Sequence, residues 1–192
     1  MISILGKSVF YFFLALSFAL FEVESEGKYG WASKSQTWIV PPDRFPWWLR
    51  RIFPKPLTGY HLFLFVGALL VTHIPFIAGV SWSVSLELQT IALYFTWTPL
   101  WDYLWFLFNP HYGVKMLGSR DIWWYRQSRW IGGKVPFENA GQWLLSLVFA
   151  YFGGMFWQHA LLLGCLIVLT VVSLFTLVPL YYRLNHYMNG TK

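Results

Sequence analysis

The sequence predicts an all-α integral membrane protein: a bundle of about five transmembrane helices, N-terminus outside and C-terminus cytoplasmic. Three observations predict it. Of 192 residues, 57% are hydrophobic and 11% charged, against about 25% charged in ordinary soluble domains. Thirteen Trp and eighteen Phe help bring the aromatic content to 22%, more than a soluble core of this size can hide but natural where the solvent is lipid. Finally, Lys7 apart, every Lys and Arg falls on one side of a five-span arrangement, as the positive-inside bias requires. A four-span reading scatters those charges.

The chain is read as one transmembrane helical domain over 1–192. Spans are expected at about 3–22, 59–80, 82–109, 139–157 and 160–182, with cytoplasmic interfacial loops at 23–58 and 110–138. The first apolar run is preceded by Lys7 and followed by Glu22, Glu24 and Glu26. A signal peptide is the competing reading, but the flanking charges fit a span.

The loop that follows holds Pro41, Pro42, Pro46, Pro54 and Pro56, which exclude a long helix. Within it, Trp47, Trp48, Arg50 and Arg51 read as an interfacial segment, with indoles at headgroup level and guanidiniums towards phosphate. The second span carries His61 near its start, His73 further along and Pro75 near its end. A short turn leads into the third.

That third segment is the one with polar chemistry. At 100° per residue, Glu87, Tyr94, Thr98, Asp102, Trp105 and Asn109 occupy a sector about 80° wide on an otherwise apolar helix. A charge at the bilayer centre costs roughly 2.5 kcal/mol or more, so the stripe is expected to face the bundle interior, a cavity or a partner. The second loop repeats the style of the first, with Asp121, Trp123 and Trp124 followed by Arg126 and Arg129. The last two spans are divided at residues 153–159, where Gly153 and Gly154, with Gly164 beyond, are expected to let them approach closely.

This topology brings distant residues to one membrane face. Glu22 and Glu26 end the first helix and share a face at a spacing of four. His61 opens the second helix, Asp102 and His111 close the third, and Asp121 lies in the adjoining loop. Carboxylates and imidazoles without thiols suit Zn, Mn or Fe, so Glu22, Glu26, His61, Asp102 and His111 are the candidate metal ligands. Asp102, His61 and His111 are the candidate catalytic acid–base groups.

The plainer reading is that these acids pair with Lys and Arg of the two loops, since no HExxH or ExxH spacing occurs. His73 and Glu87, near the opposite face, are expected to pair with each other. Haem or chlorophyll ligation by the histidines is a further alternative. The single Cys165 excludes an internal disulfide and a cysteine metal site. No phosphate loop or serine-hydrolase elbow occurs.

The resulting expectation is a small membrane enzyme, integral to a bacterial inner membrane, with its site at the cytoplasmic face and a lipid or lipophilic substrate. The alternatives are a non-catalytic accessory subunit of a bioenergetic or pigment-containing complex and, third, a proton- or ion-coupled transporter. Membrane lipids are the expected partners, joined by other subunits or a second copy under the accessory reading; nucleic acid is not expected despite the net charge of +6.

Overall fold

The computed structural model describes residues 3–52, 54–118, 122–125 and 128–190. Arg120, Asp121, Arg126 and Lys192, used in the charge reading, lie outside the described residues. The chain is almost entirely helical. Three helices, α1 (Ile4–Glu26), α3 (Gly59–Ile77) and α7 (Phe156–Phe175), are long and apolar enough to cross a membrane. Between them run α2 (Trp47–Ile52), α4 (Val84–Phe108), α5 (Gly113–Met116) and α6 (Phe137–Phe152), and α8 (Leu177–Gly190) follows.

Local chemistry sets the helix starts. Ser3, Thr58 and Ser83 precede α1, α3 and α4, and each hydroxyl accepts a first-turn N–H, from Gly6, His61 and Leu86 respectively. Helix α1 ends at Gly27, whose φ of 54° is left-handed. The apolar runs end where expected within a few residues, with one larger difference. The helix expected over about 160–182 stops at Phe175, and α8 then carries the chain through the polar tail.

Helix α4 is the centre of the bundle, packed chiefly against α6 and α1. Its C-terminal half is enclosed: Trp97, Trp101, Leu104, Phe106 and Phe108 are all at most 2% exposed. The predicted polar stripe faces inward there, with Thr98, Trp105 and Asn109 buried. Around Pro99, Asn139 of α6 donates to the Pro99 carbonyl at 3.1 Å and Trp143 donates to the Thr96 carbonyl at 3.1 Å. Side chains from a neighbouring helix thus bond carbonyls beside the proline.

Gly153 does permit a close approach, but to α4 instead of α7. Its carbonyl accepts from Ser85 and Gln89, each at 2.8 Å, and an added Cβ would crowd both residues. Gly164 faces open space.

The two loops divide between bundle and surface. Strand β1 (Ile39–Val40) pairs antiparallel with β2 (Leu57–Thr58), and β3 (Trp130–Ile131) with β4 (Val135–Pro136). Trp47 and Trp48 are exposed, as the interfacial reading expects. Trp31, Trp124 and Tyr125, by contrast, fold back onto the C-terminal end of α4 and are buried. At that end Asn109 donates to the Gly27 carbonyl and Tyr181 of α8 donates to Glu24, so the C-terminal ends of α1 and α4 meet α8.

Candidate metal centre

The i, i+4 spacing in α1 and the Thr58 cap of α3 set the site. Glu22 and Glu26 project from one face of the last turn of α1, and His61 sits in the first turn of α3. One ligand atom from each lies within 4.8 Å of the others, and all three residues are buried. His61 Nε2 is 3.7 Å from Glu22 Oε1 and 3.5 Å from Glu26 Oε1. Those distances exceed a hydrogen bond. Two ligands each about 2.1 Å from a tetrahedral ion stand about 3.4 Å apart, so the spacing fits donors arranged around a shared cation.

Each donor is oriented by a neighbour. Trp101 Nε1 donates to Glu22 Oε2 at 2.6 Å. The N–H groups of Trp31 and Ala32 donate to the two oxygens of Glu26, at 2.9 and 2.6 Å. This requires Gly30, Trp31 and Ala32 to take successive φ values of 61°, 48° and 49°. The left-handed conformation costs about 1–2 kcal/mol for each non-glycine residue, and the two charge-assisted bonds to Glu26 offset it. Gly30 is obligatory on space as well, because a Cβ there would run into the Trp124 indole.

Thr58 Oγ1 lies 2.6 Å from His61 Nδ1, and the Trp31 ring stacks on the imidazole at 3.9 Å between centroids. Partners of this kind fix ring orientation in metal sites, and losing one typically costs 10–100-fold in affinity. If the three residues hold a metal ion, Trp101→Phe, which removes the donor to Glu22, weakens its binding about 10–100-fold with helical content retained, as competitive chelator titration and circular dichroism would show.

A cavity of about 20 Å³ lies among these groups, walled by Trp31, Trp101, Trp105, Trp124 and Phe65. It has room for one ion or one water. Glu22 Oε1 and Trp105 Nε1, both on residues lining it, are buried without a hydrogen-bond partner among the described residues.

Asp102 borders the same cavity but is otherwise engaged. Its Oδ2 accepts from Tyr125 at 2.5 Å and Asn139 at 3.0 Å, and Lys55 Nζ stands 3.6 Å away. Lys55, 5% exposed, also donates to Tyr125 Oη at 2.5 Å and lies over the Trp31 and Tyr125 rings. Burial, and then the Asp102 carboxylate, hold the Tyr125 phenol well above the ordinary tyrosine range. Folded Tyr125 thus keeps its proton where the unfolded chain, with an ordinary value of 10.0, has lost it. The stability contributed is full below about pH 10 and is lost as pH rises beyond that towards the folded-state value. Unfolding followed by circular dichroism should show this alkaline loss, and a shallower one in Tyr125→Phe.

Of the predicted residues, Glu22, Glu26 and His61 converge, and Asp102 joins them at the cavity wall. His111 does not join them. It is exposed in the turn after α4, where its N–H donates to Asn109 Oδ1 at 3.0 Å. His73 bonds Glu87 at 3.0 Å, as expected, and Trp82 donates to the other Glu87 oxygen. His159 bonds Thr96 at 2.8 Å.

Sequence reasoning missed Lys55, Thr58, Trp31, Trp101, Tyr125 and Asn139. Thr58 had a visible signal, a hydroxyl residue one turn before a histidine at a helix start. The others had none, because residues of the two loops and of α4 and α6 reach this site only through tertiary folding. Comparison of the chain with protein-family models, curated proteins and solved structures finds no match in any of the three.

Proposed function

We propose that this chain is a small multi-pass membrane enzyme whose Glu22, Glu26 and His61 hold a divalent ion of the Zn, Mn or Fe class. One observation carries the reading: a buried deficit of positive charge. Asp102 is balanced by Lys55, whereas Glu22 and Glu26 have no cation bonded to them among the described residues. Two buried carboxylates without a cation are costly, and a divalent ion matches both their charge and their spacing.

His61 reinforces this. If Nδ1–H donates to Thr58, the Nε2 lone pair faces two carboxylate oxygens, an arrangement a cation resolves. If Thr58 donates instead, an Nε2–H is left too far from either oxygen to bond. Three protein ligands leave a position open, as in catalytic sites. A bound metal there supplies Lewis-acid polarisation or a water of lowered pKa. Asp102, on the cavity wall and linked to Tyr125 and Lys55, is the group placed to hold or pass a proton.

The site belongs, in this proposal, at the cytoplasmic face of a five-span bundle with its N-terminus outside, in a bacterial inner membrane, and the substrate is lipophilic. The support is the one-sided Lys and Arg distribution and the meeting of the α1, α4 and α8 ends beside the site.

Elemental analysis of detergent-purified protein tests the proposal. Near-stoichiometric Zn, Mn or Fe is expected in the parent and less than about a tenth of it in His61→Ala with retained helicity. A parent that stays metal-free after supplementation overturns it. Stoichiometric co-purifying membrane subunits in that metal-free protein would establish the accessory-subunit reading instead.

A further inference from the structure

Two open depressions flank the loop that orients Glu26. The first, about 420 Å³, is polar, and Glu26, Lys28, Tyr29, Ser33 and Lys34 are among its lining residues. The second, about 590 Å³, is walled mainly by Trp38, Tyr60 and Phe63 with a polar rim of Gln36 and Thr37. They meet at Ser35, which lines both. Glu26 also borders the enclosed metal cavity. A ligand filling the polar depression therefore lies against the far side of a proposed metal ligand.

The charge of the polar depression is specific. Its carboxylates are engaged: Glu24 accepts from Tyr181 at 2.6 Å, and Glu26 accepts from the Trp31 and Ala32 N–H groups. Its ammoniums have an aromatic ring as partner and no carboxylate among the described residues. Lys28 and Lys34 form no ion pair among the described residues, and their Nζ atoms converge on the Tyr29 ring, 5.4 and 5.3 Å from its centroid. The second depression has the opposite character. Phe63 is 70% exposed, and it stands on α3, a helix apolar enough to cross a membrane.

The geometry points to a binding site for a phosphate-bearing lipid, with the phosphate at Lys28 and Lys34 and the chain leaving across Trp38, Tyr60 and Phe63 down the side of α3. Lysine suits this as a point charge for phosphate. A soluble anion would use the lysines and leave the aromatic groove empty; a neutral lipid would do the reverse. A lipid phosphate uses both. This names the substrate class for the enzyme reading above and rests on that reading for any reaction, although the binding itself does not.

Native mass spectrometry of the full chain, exchanged with dioleoyl phosphatidic acid or dioleoyl phosphatidylcholine, tests it, with metal content measured on each preparation. The parent is expected to prefer phosphatidic acid. Lys28→Gln/Lys34→Gln is expected to weaken phosphatidic acid binding about thirtyfold, from the attraction of two lysines near a membrane surface. Phe63→Ser should weaken the lipid while leaving competition by inorganic phosphate unchanged.

Equal phosphatidic acid binding by parent and double variant overturns the site. Inorganic phosphate that binds the parent as tightly as the lipid overturns the lipid assignment. The metal measurement separates the two readings: a metal-loaded parent with no lipid preference overturns this inference alone, and a metal-free parent that binds phosphatidic acid as described overturns the metal reading alone.

Discussion

Glu22→Gln is expected to stabilise the metal-free protein and to abolish its response to metal. In the parent, Glu22 Oε1 is buried without a partner, 3.7 Å from His61 Nε2. An ionised carboxylate so placed carries a desolvation cost that the one bond from Trp101 to Oε2 offsets only in part. Glutamine keeps an acceptor for the Trp101 N–H and removes the charge. With chelator present, the variant should therefore be more stable than the parent by about 1–3 kcal/mol.

Metal bound at the proposed site is expected to reverse the order. A ligand bound to the folded state alone stabilises by about 4 kcal/mol at a thousand times its Kd, and this applies to the parent, whose ligand set is intact. Thermal unfolding in detergent, with chelator and then with Zn or Mn, should show the two curves crossing. A variant whose stability matches the parent's under both conditions would mean that Glu22 serves as a hydrogen-bond acceptor for Trp101 and nothing more.

Lys55→Met is the second large effect, expected at about 3–5 kcal/mol of destabilisation. The ammonium is 5% exposed, bonds Tyr125 and balances Asp102 at 3.6 Å. Lys55 is buried and Asp102 about three-quarters so, and removing the ammonium leaves a largely dehydrated carboxylate uncompensated, which costs more than the pair contributed. Asp102→Asn in the Lys55→Met background should recover most of the loss, because the amide still accepts from Tyr125 and carries no charge. The double-mutant cycle measures that coupling directly. A change below about 1 kcal/mol in Lys55→Met would place the ammonium in water, where exposed pairs contribute about that much or less.

How much of this was legible before the fold depended on the range of the interaction. Glu22 and Glu26 were legible because helical periodicity alone puts them on one face. The His73–Glu87 pair was legible because a short turn joins the helices that carry them. Ser3, Thr58 and Ser83 announced helix starts by a local rule. His111 was misplaced because its position depends on the turn after α4, where Asn109 accepts its N–H and leaves the side chain outside. Lys55 was invisible for a related reason. A lysine among prolines in a Trp-rich loop reads as a headgroup contact, and only the docking of Tyr125 and Asp102 around it makes it a buried cation.

The sequence by itself determined that the chain is helical and apolar, with segments able to cross a membrane and a polar stripe on its central helix. Those properties follow from composition and from periodicities of a few residues, which no distant contact can alter. The tertiary structure decided which acids remain without a cation. That outcome depends on Lys55 reaching Asp102 across the loop, on Trp31 and Ala32 turning their N–H groups to Glu26, and on Trp101 taking one oxygen of Glu22 while the other stays bare. Electrostatic balance in a buried site is a property of every charge within a few ångströms, and here those charges come from three separate stretches of chain.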